Sequence, residues 1–372
     1  MNRRQKRGEW LERQAPRLMI LPAVLLLLAF SLFPLIVSAW LAFSRFRLQP
    51  GGFDIRFVGL RNFRKLLLGS EQYHFLGTFG GFSSLDWILL GAAAAVLGRW
   101  YWRYVTGRQR SWPGAVGRAI TVTVLLGLLW IALSVIGTRG GPGSLVTTLF
   151  YVFAGVAIQF LVGLGLALLC SQPIRGRTFF RLVFFLPLMV TPVGIGYTFR
   201  MIVDVSKGPF APLLQALGAG DWTWAADAWS ARWVVLIGDS WQWVPFMFIV
   251  LLAAIESQPR DQVEAAAIDG ADGWQIFRDV TWPSIAPVAA TVVLIRLIES
   301  FKIIDLPNLL TNGGPGIATE SMTLHAFIAW RGQQLGQSAA IGYMLMFVAV
   351  VCCVSFFNFA AQRARVHEAA AK

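Results

Sequence analysis

Eight apolar runs govern what this chain can fold into. They lie at about Leu18 to Phe43, Leu85 to Gly98, Ala119 to Gly137, Leu145 to Cys170, Phe179 to Val203, Trp233 to Ile255, Ile285 to Asp305 and Ala339 to Ala361. A helix crossing a bilayer needs roughly 20 apolar residues, because each residue rises about 1.5 Å through a hydrocarbon layer that offers the backbone no water. All eight runs meet or approach that length. The second is the weakest, an Ala-rich run that reaches it only by taking in Phe79 to Ser84 or Trp100 to Trp102. With 56% hydrophobic and 14% charged residues among 372, the chain is too apolar for an average soluble domain. The pattern predicts an all-α polytopic membrane protein of about eight transmembrane helices. Its first run is too long for a signal-peptide core and no small-residue cleavage site follows, so it is read as a retained span.

The flanking charges set the orientation. In the eight-span arrangement Lys and Arg number 19 on the side of the N-terminus and 10 on the other, and the richer side is the cytoplasmic one. Both termini are expected in the cytoplasm, together with the segment 256–287. The basic stretch Arg45 to Lys65 runs against this count. A net charge of +13 spread over such short flanks reads as an orientation signal, so no nucleic-acid partner is expected. Cys170, Cys352 and Cys353 all fall inside predicted spans, which leaves neither a disulfide framework nor a zinc spacing. His74, His325 and His367 are far apart and form no ligand motif; surface or interface positions are expected for them, and no metal.

One polar, charge-balanced island interrupts the apolar pattern, ESQPRDQVEAAAIDGADGWQIFRDVTWPSIAP from Glu256 to Pro287. Ser257 is placed to N-cap a helix with Pro259 in its first turn and Gly270 at its left-handed end. Asp272 and Gln275 form a capping box that opens a second helix, and Pro283 is expected to stop it. Two short helices at a Gly bend suit either a docking surface or an ordinary solvated loop, and spacing alone leaves both open.

Here the residues resemble the EAA loop of ABC importer permeases, with EAAxxDGAxxxxxFxxxxxP intact: Glu264, Ala265, Ala266, Asp269, Gly270, Ala271, Phe277 and Pro283. The resemblance implies coupling helices that seat in separate cytoplasmic ATPase subunits, with Glu264, Asp269 and Gly270 as the main positions. It implies a bacterial inner-membrane, multi-pass permease subunit with a six-helix core, working with a second permease subunit that is a different chain, two ATPases and a periplasmic solute-binding protein. ATP and Mg would belong to the ATPases, and no cofactor to this chain. In the sugar permeases of this family the first span and its following VGLRNF segment (Val58 to Phe63) lead directly to the span at Leu145. The intervening Gly80 to Ser144 is therefore read as an inserted hairpin, joined by the interfacial loop RWYWRYVTGRQR from Arg99 to Arg110, whose arginines suit anionic lipid. The chain divides into a basic cytoplasmic N-terminus (1–17), a first span (18–44), a periplasmic segment (45–79), the hairpin (80–144), a permease core (145–361) and a cytoplasmic tail (362–372).

Catalysis has no supporting motif. None of Lys6, Lys65, Lys207, Lys302 and Lys372 follows a glycine, which excludes a P-loop, and HExxH, GxSxG and CxxC are missing. A non-catalytic transport subunit is expected. For the substrate path, FFLPLMVTPVGIGYTFR places Pro187, Pro192, Gly194 and Gly196 in one span, which should kink. Trp222, Trp224, Trp229 and Trp233 read as an interfacial belt, while Trp241 and Trp243 are candidates for stacking a sugar. Arg296, Glu299, Lys302 and Asp305 recur every three residues with alternating sign, so each can pair with its neighbour on a helix face turned to a cavity. After them, LTNGGPGIATESMTL is expected to form an irregular loop in which Thr319 or Ser321 caps a short helix. This loop resembles that of the maltose and glycerol-phosphate type permeases, which implies a carbohydrate or related polyol or glycoside as cargo. The alternative from another class is an ion-coupled secondary transporter using the Arg296 to Asp305 stripe as a relay.

Overall fold

The structure, a computed structural model, describes residues 19–107, 111–136, 141–173, 175–216, 218 and 223–370, and the side chains of these apart from 214 and 362–370. The basic N-terminal segment, Arg108 to Arg110 of the aromatic loop, Trp222 and the side chains of the C-terminal tail lie outside the described residues. Elements in chain order are α1 (Met19–Ala42), β1 (Ser44–Gln49), β2 (Gly52–Phe57), α2 (Arg61–Leu68), α3 (Gln72–Phe75), β3 (Gly77–Thr78), α4 (Ser84–Val105), α5 (Trp112–Ile136) and β4 (Gly141–Pro142). They continue as α6 (Ser144–Ser171), α7 (Arg177–Met189), α8 (Pro192–Ile202), α9 (Ala211–Ala216), α10 (Ala228–Glu256), α11 (Arg260–Ile268), α12 (Gly273–Ser300), α13 (Asp305–Thr311), α14 (Met322–Arg331) and α15 (Leu335–Ala370).

Among the described residues six helices, α1, α5, α6, α10, α12 and α15, are long and apolar enough to cross a membrane. The weak second run forms α4, whose 22 residues reach about 33 Å at the standard helical rise. Ser83 and Asp86 close a capping box at its start. Tyr104 near its end lies 3.4 Å under the Arg118 guanidinium of α5, so the pair is a helical hairpin. The expected single span across 179–203 is two helices, α7 and α8, set at 102°. A simple kink does not form because Pro192 drives Thr191 out of the helical region (φ −65°, ψ 146°), and Val190 is extended as well. Thr191 then accepts a bond from the Gly194 N–H and starts α8 afresh.

Two compact units divide the chain. One comprises the described residues up to Arg64 with Ala326–Tyr343. In it the basic stretch that strained the charge count forms an antiparallel hairpin, paired from Ser44 with Phe57 to Gln49 with Gly52. Alternation of apolar Phe46, Leu48, Phe53, Ile55 and Phe57 with Arg45, Arg47, Asp54 and Arg56 on the two sides of Pro50-Gly51 carries the period-two signal. Asn62 of the VGLRNF segment donates to Ala42 O at 2.8 Å and Ser44 O at 2.9 Å, locking the exit of α1 into β1. Tyr343 of α15 donates to Leu35 O on α1.

The second unit, Lys65–His325 with Met344–Lys372, is built on the contact of α6 with α10. Gly163 lets the two backbones approach: a methyl group there would stand 2.5 Å from Met247 Cβ and 3.0 Å from Phe248 N. Small residues at such crossings are how membrane helices pack closely. Gly163→Ala is therefore expected to cost about 1–3 kcal/mol, the range for overpacking, read as a lower unfolding temperature in detergent, whereas Gly165→Ala, in open space, should be neutral. Tyr151, Ile195, Val235, Leu236, Leu306 and Leu310 form a core between α6, α8, α10 and α13.

Candidate functional site

The polar island folds as two joined helices at one end of α12. α10 runs through Glu256, and Ser257 ends it, donating from Oγ to Ala254 O at 2.8 Å. Ser257 is thus not the N-cap of the next helix. The helix of α10 ends at Glu256, one residue past the expected Ile255, so Ser257 closes it and Pro259 takes the cap position of α11 (φ −59°, ψ 124°). At the other end of α11, Gly270 adopts φ +84°, its N–H bonds Ala267 O at 3.1 Å, and the Ala271 N–H bonds Ala266 O at 3.0 Å. This paired closure satisfies carbonyls that a helix end leaves open and needs a left-handed residue between them. Asp272 and Gln275 then exchange backbone bonds at 2.7 and 2.8 Å, the capping box expected from sequence.

Pro283 does not stop the second helix. Phe277–Thr281 form a π turn in which the Trp282 N–H bonds Phe277 O, five residues back. The proline follows immediately, in the first turn of the resumed α-helix. Its missing N–H falls where the ladder changes register, so the helix continues to Ser300.

Glu264, Ala265, Asp269 and Gly270 are exposed, Ala266, Ala271 and Phe277 are half-buried, and Pro283 is exposed. Phe277 is packed by Trp274 and Trp282, with ring centroids at 5.6 and 6.2 Å. Beside α11 lies a groove of about 960 Å³ lined by Arg177, Glu256, Gln258, Glu264, Trp274 and Phe277 among others. Arg181 of α7 donates to Glu256 and to Cys170 O, so the ends of α6, α7 and α10 are tied at its rim. Two large apolar side chains project from the loop, Ile268 at 85% and Trp274 at 66% exposure. Exposed apolar surface among mixed charges on a well-capped turn is the chemistry of a protein-docking surface.

The path candidates do not share one face. Arg296 is 1% exposed and pairs with Asp239 of α10, while its Nε donates to Gln159 Oε1 of α6 at 2.7 Å. Gln159 Nε2 donates to Asp239 Oδ2 at 2.8 Å, and Trp243 lies 4.4 Å from the guanidinium. The expected pairing of each charge with its neighbour is thus corrected for Arg296, whose partner is across the bundle. A buried charge requires a partner and full hydrogen bonding, and Asp239 and Gln159 supply both. Glu299 does pair with Lys302, at 2.8 Å on the surface. Asp305 lies beyond the break at 301–304 and begins α13, so no continuous stripe exists. Trp241 is 43% exposed and packs edge-on to Phe199.

The loop 312–321 is held by its backbone. Arg232 Nε donates to Ala318 O at 2.7 Å and Tyr151 to Thr319 O at 3.2 Å. Ser321 caps α14 by accepting from the Leu324 N–H at 3.1 Å, as expected.

Sequence reasoning missed the triad and a histidine cluster. Gln159 stands as an isolated polar residue in an apolar run, and Asp239 is the one charged residue between Trp233 and Ile255, which are usable signals. His74 and His325, expected at surfaces or interfaces, stack with centroids 3.8 Å apart, and His325 is 2% exposed. Burial opposes protonation of His74, but its bond to Glu320 and the charges of Glu320 and Glu71 outweigh this and raise its pKa. Burial and then the neighbouring His74 push His325 down to about 3.

Residues 159–366 match the family of binding-protein-dependent transport system inner membrane components. Among curated proteins, the chain is 32% identical over 219 residues to the trehalose/maltose transport system permease protein MalF of Thermococcus litoralis, covering 59% of this chain and 74% of that one. It is 30% identical over 224 residues to the sn-glycerol-3-phosphate transport system permease protein UgpA of Brucella abortus, covering 60% and 75%. Its fold is similar to that of a chain from a bacterial ABC transporter involved in import of the acidic polysaccharide alginate, with a TM-score of 0.63 at 18% identity over 96% of this chain and 99% of that one. The chain therefore belongs to the inner-membrane components of binding-protein-dependent transport systems, the permease subunits of ABC importers.

Proposed function

We propose that this chain is the permease subunit of an ATP-driven importer for a carbohydrate or related polyol or glycoside, and that Glu264 to Ala271 seat in a cytoplasmic ATPase. The observation that carries the reading is the loop itself: a helix closed by left-handed Gly270, a capping box at Asp272, and exposed Ile268 and Trp274, continuous with α12. Force applied to the loop acts on a single helix of 28 residues. That helix is fastened through Arg296 to α10 and α6, so the three helices rock as a body. Solute would arrive from a periplasmic binding protein, a second permease of different sequence would complete the path, and ATP and Mg would be held by two ATPase subunits. Both termini would lie in the cytoplasm, with α4 and α5 as a hairpin added to the six-helix core. The cargo class rests on the names of the curated relatives, a trehalose/maltose and a glycerol-phosphate permease. Trp241, Trp243, Glu299, Lys302 and Asp305 remain the candidates for the path, whereas Arg296 serves its wall.

An ion relay would need titratable groups in file. Arg296 is instead closed into a triad with Asp239 and Gln159, and no observation favours the secondary-transporter alternative. The test is uptake by the assembled complex in proteoliposomes. Transport that requires ATP and the binding protein and is indifferent to a protonophore is expected; transport driven by an ion gradient without ATP would overturn the reading.

A further inference from the structure

The histidine cluster leads beyond transport coupling. Two ring nitrogens are engaged: His74 Nε2 lies 2.9 Å from Glu320 Oε1, and His325 Nδ1 lies 3.0 Å from Ser144 Oγ. These bonds leave His74 Nδ1 and His325 Nε2. Glu71 Oε2 stands 3.8 Å from His74 Nδ1, and one ligand atom from each of Glu71, His74 and His325 lies within 4.8 Å of the others. A carboxylate or hydroxyl on the far nitrogen is how metal-ligating imidazoles are held, because it fixes the tautomer and aims the remaining lone pair.

We propose that Glu71, His74 and His325 form a site for a divalent transition metal of the zinc class, with Glu320 and Ser144 orienting the two imidazoles. Two imidazoles and one carboxylate, with a fourth position for water, suit zinc, whereas calcium and magnesium prefer all-oxygen shells. Metal–ligand bonds of about 2.0–2.2 Å place tetrahedral ligand atoms roughly 3.4 Å apart, so the cluster contracts on loading. The side that moves is defined by burial. His325 and Glu320 side chains are 2% and 4% exposed, while those of His74 and Glu71 are each 26% exposed, on and beside the four-residue helix α3. The stacked rings do not aim at one point, so His74 tilts as the ion enters. Lys65 Nζ lies 3.3 Å from Glu71 Oε1, which leaves Glu71 to bind through Oε2 alone.

The ion would tie α3 to α14 and, through Glu320, to the loop 312–321, which lies beyond the end of α12 opposite the loop 256–287. The site is thus a clasp on the chain leaving α12, and it stands whether or not the cargo is a sugar.

The test uses the purified full chain in its complex, stripped with a chelator, reloaded with zinc, desalted and analysed for metal. Wild type is expected to retain one equivalent per chain more than Glu71→Gln/His74→Gln, whose positions are partly exposed and which leaves the buried His325 and Glu320 in place. Glu320→Gln should weaken zinc about 10–100-fold, the usual effect of losing an orienting partner. Added zinc should raise the unfolding temperature of wild type and not of the double variant. Equal zinc retention by the two proteins, or an equal thermal response, overturns the proposal, since adventitious binding at cysteines or surface carboxylates would be common to both.

Discussion

Asp239→Ala is expected to destabilise the protein far more than truncation of any exposed side chain. It leaves the Arg296 guanidinium, 1% exposed, with Gln159 as its remaining hydrogen-bond acceptor. Removing one member of a buried pair costs roughly 3–5 kcal/mol, because an uncompensated charge stays in a low-dielectric interior. The variant should show a strongly lowered unfolding temperature in detergent and poor accumulation in the membrane. Exchange of both charges, Asp239→Leu with Arg296→Met, removes the stranded charge and should recover most of the stability, since such replacements are often neutral or better. Recovery of stability identifies the pair as a joint between α10 and α12. If the double variant were as unstable as Asp239→Ala, the joint account would fail. Uptake by the double variant then reports whether α12 must be tied to its neighbours to transmit movement.

Glu264→Lys should have the opposite profile. The side chain is exposed and lies mid-helix in α11, so stability should change by no more than about 0.5 kcal/mol. At a docking surface, however, a reversed charge costs several kcal/mol in association, and each 1.4 kcal/mol is about a tenfold loss. ATP-coupled uptake should therefore fall at least about a hundredfold in a protein that inserts and folds normally. Gly270→Pro should abolish uptake as well, by removing the N–H that bonds Ala267 O at 3.1 Å and forbidding the left-handed turn. Normal transport by either variant would contradict the assignment.

Legibility from sequence divides along the range of the interactions. Helices and caps are local, so the apolar runs, the capping box at Asp272, Gly270 and Ser321 all carry readable signals. The break at Thr191 is half legible: the prolines are visible, but whether a chain bends or breaks depends on what receives the second half, here the packing of α8 against α13. The β-hairpin at 44–57 is obscured because its Arg residues double as topology signals and mask the alternation around them. Arg296 is visible as an expensive residue, yet its partner sits 57 residues away, and a stripe of alternating charges offers a nearer, wrong one. His74 and His325 are unreadable as a pair, since only the return of the chain after α12 brings them together.

The central claim, that the loop between α10 and α12 is the seat of an ATPase, is tested most directly by proximity. Ile268→Cys places a thiol at a position 85% exposed, and the native cysteines at 170 and 352 are buried, with 353 partly so. In the assembled complex a short bifunctional thiol reagent should join Ile268→Cys to an ATPase subunit carrying surface cysteines, with yield lost when Glu264→Lys is added. An Ile268→Cys chain that inserts, supports uptake and gives no adduct with the ATPase would contradict the account.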